Sequence, residues 1–373
     1  MPGITAELAQ HGAQRQAELA VGLSDPNPRV GCLLVARTGV VIGAGHTQAA
    51  GHAHAEVMAL HAARAAGHDV RGATAYVSLE PCSHYGRTPP CCEALIESGI
   101  AKVVVAIADP NPRVAGQGLA RLRAAGVEVE VIGGQWAAAS RELNIGFFSR
   151  MIRARPWLRV KIAASLDGRT ALESGASQWI TGQAARADGH GWRKRAGAVL
   201  TGIRTVRDDD PRLDVRWVPT QQQPLRVVVD SRLDINAAAQ LLQPPGSALI
   251  YTASDDAARA AALTASHVEV ARLPADTRGK TDLAAMLVDL ARREINELHV
   301  EAGERLNGSL LREGLVDELL VYVAPRLLGP GRGIAALGPL ASLTESLDFE
   351  FVAIERVGAD LRLRLRPPGR ALF

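Results

Sequence analysis

Through its first 145 residues the chain switches between two hydrophobic periods. Short apolar runs of strand length fall at 29–36, 40–45, 74–79, 102–108 and 127–132, with helically spaced stretches between them. The helical stretches are an Ala-rich one at 5–20, one from His54 to Ala66 stopped by Gly67, one from Pro90 to Gly99, and one at 115–125 ended by Gly126. Glycine just past a periodic segment ends a helix because it enters the left-handed conformation at no steric cost. This alternation predicts an α/β sheet covered by helices on both faces. Near 144–156 the pattern breaks into Phe147 and Phe148, then Arg150, Arg153 and Arg155, closed by Pro156, which disfavours helix in the residue before it. The boundary is expected there, giving domains 1–147 and 148–373. Beyond it, strand-like runs recur at 157–163, 198–201, 225–230, 248–251, 268–272, 298–301, 319–324 and 361–365, several separated by helical segments, so a second α/β domain is expected. The Gln-rich stretch 218–224 reads as a surface loop.

A length of 373 residues also favours two cores over one. Hydrophobic residues at 47% and charged residues at 22% exclude a disordered or coiled-coil chain. The net charge of +3 argues against a nucleic-acid partner. No apolar stretch reaches bilayer length and the first residues lack a basic start, so a cytoplasmic protein without a membrane partner is expected. Such folds commonly form homo-oligomers, and no pattern here sets the number of subunits. All four cysteines, Cys32, Cys82, Cys91 and Cys92, lie in the first hundred residues, which suggests a local thiol or metal site.

The strongest chemical signal is His54-Ala55-Glu56, followed by Glu80-Pro81-Cys82 and, after eight intervening residues, Cys91. One imidazole and two thiolates suit a catalytic zinc, which takes three protein ligands and leaves the fourth place to a water whose pKa falls to roughly 7. Glu56 is then wanted beside that water as the proton shuttle rather than as a ligand. His54 and Glu56 are expected in the first turn of their helix, and Cys91 at a helix start, where the dipole favours thiolate. A structural zinc would need a fourth protein ligand, for which His52, His61, His84 or Cys92 could be proposed. Cys92 and Cys32 otherwise read as small core residues.

The segments PNPRVGC (26–32), HAE (54–56), LEPCSHYGRTPPCC (79–92) and DPNPRVAGQG (109–118) resemble the deaminase half of the bifunctional riboflavin-biosynthesis deaminase/reductase family. The resemblance covers nearly the whole first domain and implies a cytidine-deaminase-like three-layer α/β/α fold. It implies zinc on His54, Cys82 and Cys91, proton transfer by Glu56, and a substrate contact at Asn27. The eight-residue loop between the two cysteines departs from the common C-x-x-C spacing and separates this family from nucleic-acid-editing deaminases.

The second domain has no G-x-G-x-x-G after its first strand. Its suggestive pieces are Lys161 ahead of Ser165-Leu166-Asp167-Gly168, the run Ser177 to Thr181, Thr205 to Leu213, and Gly303 to Ser309, which follows a strand and offers a helix start to phosphate. VKIAASLDGRTA, SGASQWIT, TVRDDDPRL with VRW, RVVVDS, VEAG and GLVDELLVYVAP resemble the reductase half of the same family, similar in fold to dihydrofolate reductase. That resemblance implies NADPH as hydride donor, held by Ala163, Trp179, Thr205, Asp209, Ser231 and the segment Gly303, Glu304, Arg305, Leu306, Asn307, Gly308, Ser309. Ser177, Arg193, Leu213, Arg216 and Glu301 would face substrate, with Arg193 and Arg216 suited to clamp a 5′-phosphate. Lys161 and Asp167 would assist positioning or proton transfer. Glu304 is expected to turn from the phosphate, since an acid there is unfavourable.

The implied reactions are hydrolytic deamination of 2,5-diamino-6-ribosylamino-4(3H)-pyrimidinone 5′-phosphate, then NADPH-dependent reduction to 5-amino-6-ribitylamino-uracil 5′-phosphate. Two alternatives stay open at this point. One is a base or nucleoside deaminase with a non-catalytic nucleotide-binding domain, and the other is a zinc-stabilised nucleotide-binding module.

Overall fold

A computed structural model describes residues 3–112 and 114–373. The chain divides into two compact units, Met1–Ala154 and Arg155–Phe373. The first holds helices α1 (Ala6–Glu18), α2 (Ala55–Ala65), α3 (Cys91–Glu97), α4 (Gln117–Ala124), α5 (Gly134–Leu143) and α6 (Ile145–Arg153). Its strands are β1 (Gly31–Val35), β2 (Val41–His46), β3 (Thr74–Val77), β4 (Lys102–Val105) and β5 (Glu128–Val131), in the order β2-β1-β3-β4-β5. Strand β1 runs antiparallel to both neighbours, and β3, β4 and β5 are parallel.

Small residues set the two helical layers close to this sheet. A Cβ on Gly31 would meet the Ala13 carbonyl oxygen at 2.0 Å, so α1 lies on that face with Ala9, Ala13 and Ala17 fully buried. On the opposite face a Cβ on Gly43 would meet the Ala59 oxygen at 2.3 Å, and one on Gly45 the Ala55 oxygen at 2.6 Å. Helix α2 therefore rests directly on β2, and its first turn is held by backbone contact.

Helices α5 and α6 replace the expected break at 144–156, and the expected 147/148 division falls inside α6. Asn144 joins the two helices. Its side chain accepts from Arg29 N at 2.7 Å and donates to Arg29 O at 3.0 Å. Ile145, Phe147 and Phe148 are buried, which keeps α6 with the first unit.

The second unit contains α7 (Gln183–Arg195), α8 (Ile203–Asp209), α9 (Ala257–Leu263), α10 (Leu283–Arg292) and α11 (Glu304–Arg312). Its strands are β6 (Trp157–Ser165), β7 (Arg169–Leu172), β8 (Ala198–Gly202), β9 (Leu225–Val229), β10 (Ala248–Thr252), β11 (Val268–Arg272), β12 (Glu297–Val300), β13 (Glu318–Ala324), β14 (Gly331–Gly333), β15 (Glu350–Val357) and β16 (Asp360–Arg366). Nine of them form one sheet, β11-β10-β9-β8-β12-β6-β13-β16-β15, and β7 pairs with β14. The sheet is parallel from β11 to β13 and antiparallel at β16 and β15. Near-continuous apolar runs such as ALIYT are what strands buried on both faces require. Strands β7, β14 and β15 are additions to the expected set. Two are very short, and β15 is an edge strand that is mostly exposed.

A buried ionic cluster ties the middle of this sheet together. Arg159 on β6 donates to Glu318 on β13 at 2.5 Å and to Glu297 on β12 at 2.8 Å. Arg195 reaches Glu297 at 2.9 Å and Arg366 reaches Glu318 at 2.6 Å. Burial opposes ionisation of Glu318, but Arg159, Arg364 and Arg366 outweigh it and hold the carboxyl down at about 2.

Candidate functional site

In the first unit His54, Cys82 and Cys91 converge so that their ligand atoms lie within 4.8 Å of one another. His54 is the N-cap of α2, one residue outside the first turn, and Glu56 sits in that turn, 2% exposed. Cys91 is the first residue of α3, and its backbone N–H donates to Cys82 Sγ at 3.3 Å. His54 Nδ1 stands 3.6 Å from Cys82 Sγ and 3.3 Å from Cys91 Sγ. Tetrahedral zinc with Zn–S of about 2.3 Å and Zn–N of about 2.0–2.1 Å requires N···S separations of about 3.6 Å, so this donor set fits the ion. Among the described residues the cluster has no fourth protein donor, which is the composition of a catalytic rather than a structural zinc site.

The electrostatics suit that ion. The shared hydrogen bond with Cys91, together with His54, draws the Cys82 thiol down to about 4. The same bond, together with burial, pushes the Cys91 thiol up. Burial, with the Cys82 sulfur second, lifts Glu56 to about 6. Cys92 donates to the Cys82 carbonyl at 2.8 Å, and burial pushes its thiol up to about 12, so it is a packing residue, as is fully buried Cys32.

One organising residue escaped sequence reasoning. Glu80 is 3% exposed, and its carboxylate accepts backbone N–H groups from Asp109 (3.1 Å), Gly116 (3.0 Å), Gly118 (3.0 Å) and Leu119 (3.3 Å). It anchors the segment entering α4 beside Pro81 and Cys82, where a Cβ on Gly118 would strike the Pro81 oxygen at 2.1 Å. The signal available was a buried-type acid before Pro-Cys and two glycines in VAGQG. Asn27, expected at the substrate, is half-buried in the turn after α1, where its N–H donates to Ser24 O at 2.8 Å.

In the second unit a cavity of about 660 Å³ opens beyond the carboxyl ends of β8, β9 and β12, where open α/β sheets place ligands. Of the residues expected to hold NADPH, Ser231, Gly303, Glu304, Arg305, Leu306 and Ser309 line it. Gly303 is the N-cap of α11, so free N–H groups face the cavity. Glu304 does turn aside, accepting from Gly333 N at 3.1 Å. Asn307 and Gly308 do not line the cavity. Asn307 donates to Ile334 O at 3.0 Å, and a Cβ on Gly308 would strike Ala336 O at 2.3 Å, so both serve the packing of α11 against the 334–336 segment. Ala163, Trp179, Thr205 and Asp209 also lie outside its lining; Asp209 hydrogen-bonds Ser177, and Trp179 is 57% exposed beneath Arg186.

The expected substrate groups form a second cluster. Register pairs Val300 with Val160, which brings Glu301 level with Lys161. Arg193 grips Glu301 through Nε (2.5 Å) and Nη2 (2.9 Å) and donates to Asp214 O at 2.8 Å. Three of its five N–H donors are therefore engaged within the protein. Arg216 bonds Asp214 at 2.5 Å and is 41% exposed at its side chain, leaving donors for an anion. Leu213 is buried at φ 55°, in the turn that presents these groups. Desolvation lowers the Lys161 ammonium. Asp167 accepts from Ser165 Oγ and from the Leu328 and Gly329 N–H groups, which lower its carboxyl to about 2.

A three-donor metal site over a buried acid, on a helix-covered sheet, defines the class of zinc-dependent deaminases, here joined to a nucleotide-cleft domain. Residues 5–107 match the family description "Cytidine and deoxycytidylate deaminase zinc-binding region", and residues 156–363 match "RibD C-terminal domain". The chain is 44% identical over 353 residues to the riboflavin biosynthesis protein RibD of Escherichia coli K12, covering 91% of this chain and 93% of that one. It is 42% identical to that of Aquifex aeolicus, with 91% and 92% covered. Among solved structures, Acinetobacter baumannii RibD (form 1) superposes with TM-score 0.86 at 40% identity, covering 97% of this chain and 98% of that one. A Thermotoga maritima structure described as a diaminohydroxyphosphoribosylaminopyrimidine deaminase/5-amino-6-(5-phosphoribosylamino)uracil reductase gives 0.86 at 32% identity, with 97% and 98% covered.

The chain thus belongs to the RibD family of bifunctional riboflavin-biosynthesis enzymes. It carries a zinc-dependent deaminase domain followed by an NADPH-dependent reductase domain. Together they deaminate the phosphoribosylaminopyrimidine and reduce its ribosyl group to ribityl.

Proposed function

We propose that His54, Cys82 and Cys91 hold the zinc and that Glu56 carries the proton of the deamination. The observation behind this is the convergence of the three donors within 4.8 Å beside a 2%-exposed acid. Zinc supplies Lewis acidity that makes water a competent nucleophile at neutral pH. Glu56 takes a proton from the attacking water at its carboxylate oxygen and returns it to the departing amino nitrogen. Glu80 is a positioning residue that holds the Cys82 segment.

In the reductase domain NADPH supplies the hydride. The N-terminus of α11 and Ser231 bind the dinucleotide. Lys161 and Glu301 face the ribosyl carbon, Arg193 fixes Glu301, and Arg216 takes the 5′-phosphate. The finer division of labour is deaminase up to α6 and reductase from β6 onward. Four cysteines outside any disulfide, two of them assigned to zinc, support a reducing, cytoplasmic setting, and the net charge of +3 supports a small-molecule substrate without nucleic acid. On edge strand β15, Phe351 and Ile354 are 61% and 59% exposed, which supports homo-oligomer formation along that edge.

The test supplies the diamino phosphoribosyl substrate to zinc-loaded enzyme with NADPH. Release of ammonia together with the reduced ribityl product is expected. Ammonia without NADPH oxidation would favour a deaminase with a non-catalytic second domain.

A further inference from the structure

The segment that carries Arg216 has no secondary structure of its own. Leu213 to Arg216 runs as coil, with Leu213 in the left-handed region at φ 55°, so its backbone groups must find partners elsewhere. They find side chains. The Asp214 carbonyl accepts from Arg193 Nη1 at 2.8 Å, and Gln223 closes on Val215 twice, accepting from its N–H and donating to its carbonyl, each at 2.8 Å. The Arg216 N–H, next in this series, donates to His190 Nδ1 at 3.3 Å.

His190 is the middle member of a row on α7, where Arg186, His190 and Arg193 are spaced four and three apart and so share one helix face. It is 5% exposed, and its ring stacks on Trp217 with centroids 5.0 Å apart and planes inclined by 29°. Trp217 also carries the guanidiniums of Arg186 and Arg216, 5.2 and 5.9 Å from its ring centroid. One imidazole thus fixes two consecutive residues, the Arg216 backbone by a hydrogen bond and the Trp217 indole by stacking. A backbone N–H can only donate, so Nδ1 keeps its lone pair and the ring proton sits on Nε2. Burial, then the charges of Arg193 and Arg216, draws this imidazole down to about 4 against the opposing pull of Glu301 and Asp214, which leaves that lone pair available at neutral pH.

We propose that His190 is a positioning residue of the reductase, whose Nδ1 fixes the Arg216 backbone so that the half-exposed guanidinium meets the 5′-phosphate of the substrate. The proposal rests on the reading that Arg216 takes this phosphate and adds what aims it. His190 acts through Arg216 and not on the reacting atoms, so its removal costs affinity for the phosphorylated substrate and leaves the hydride step itself intact.

The experiment follows NADPH oxidation by the zinc-loaded full chain, with the deaminated intermediate and with its dephosphorylated counterpart as substrates. His190→Phe keeps a stacking ring without an acceptor, and His190→Asn keeps an acceptor near the Nδ1 position without the ring. His190→Phe is expected to raise KM for the phosphorylated substrate roughly tenfold at native kcat, with no change for the dephosphorylated one, and His190→Asn to recover most of that loss. Equal losses on both substrates, an unchanged KM, a fall in kcat alone, or an Asn variant no better than the Phe variant each overturn the proposal. Arg216→Ala separates it from the reading beneath. If that variant still prefers the phosphorylated substrate as the wild type does, Arg216 does not hold the phosphate and both fall. If Arg216→Ala loses the preference while His190→Phe keeps it, the role of His190 alone is overturned.

Discussion

The two units build their sites by opposite means. In the first, glycines and alanines bring helices onto the sheet at backbone distance, and the chemistry is concentrated in four side chains around one point. In the second, the site is spread along strand ends, and long arginines and acids are held by partners more than a hundred residues away, as Arg193 holds Glu301 across 108 positions. A point site made from scarce residue types tolerates little displacement but announces itself. A cleft made from common residue types is assembled by pairing, and each member's role depends on what its partner leaves unused.

The sharpest way to break this comparison is to remove the acid at the point site. Glu56→Gln should retain stoichiometric metal while ammonia release falls by roughly 10²–10⁴-fold, since that is what a positioned proton shuttle contributes. NADPH oxidation with the deaminated intermediate supplied should be unaffected. Retained ammonia release would take Glu56 out of the reaction.

The pairing logic of the second unit is tested in its core. Glu318→Ala leaves Arg159 buried with half its compensation, and a loss of about 3–5 kcal/mol in the unfolding of this unit is expected by calorimetry or denaturant titration. The pH dependence has a defined sign. Glu318 is depressed in the folded state, so its stabilisation is present above its unfolded pKa near 4.5 and disappears as pH falls toward its folded value of about 2. Acid unfolding of the second unit should therefore steepen between those values, and less so in the Ala variant. An acid limb unchanged by the substitution would count against the cluster.

The smallest of these effects is expected from Glu80→Gln, which cannot accept four backbone N–H groups equally. Outer residues that orient metal ligands typically matter by about 10–100-fold in affinity or activity. The variant should release zinc faster to a chelator and shift the visible spectrum of the cobalt-substituted enzyme, neither of which simple loss of folded protein would produce. Glu80→Asp should not restore the native spectrum, because the shorter side chain cannot span the same amides.

The same contrast explains what could be read without coordinates. His54, Glu56, Cys82 and Cys91 were legible because a single chemistry explains their joint spacing. Glu80 was not, since its partners are backbone amides of a segment some thirty residues on, and amides carry no sequence signature. The pairing of Arg193 with Glu301 was not legible either, because nothing local in the sequence reveals a partner 108 positions away. Helices α5 and α6 were hidden by Asn144, which ends one and begins the other, so an aromatic run that packs inward looked like an interdomain break. Strand β15 lacks the alternation that burial of one face imposes, because most of it is exposed.

X-ray absorption at the zinc edge of the purified enzyme reads the ligands of the metal itself. One zinc per chain is expected, with two sulfur neighbours at about 2.3 Å, one imidazole nitrogen at about 2.0–2.1 Å and a single further light atom from outside the protein. A sphere closed by a third sulfur or a second imidazole, or a chain that retains no zinc, would contradict it.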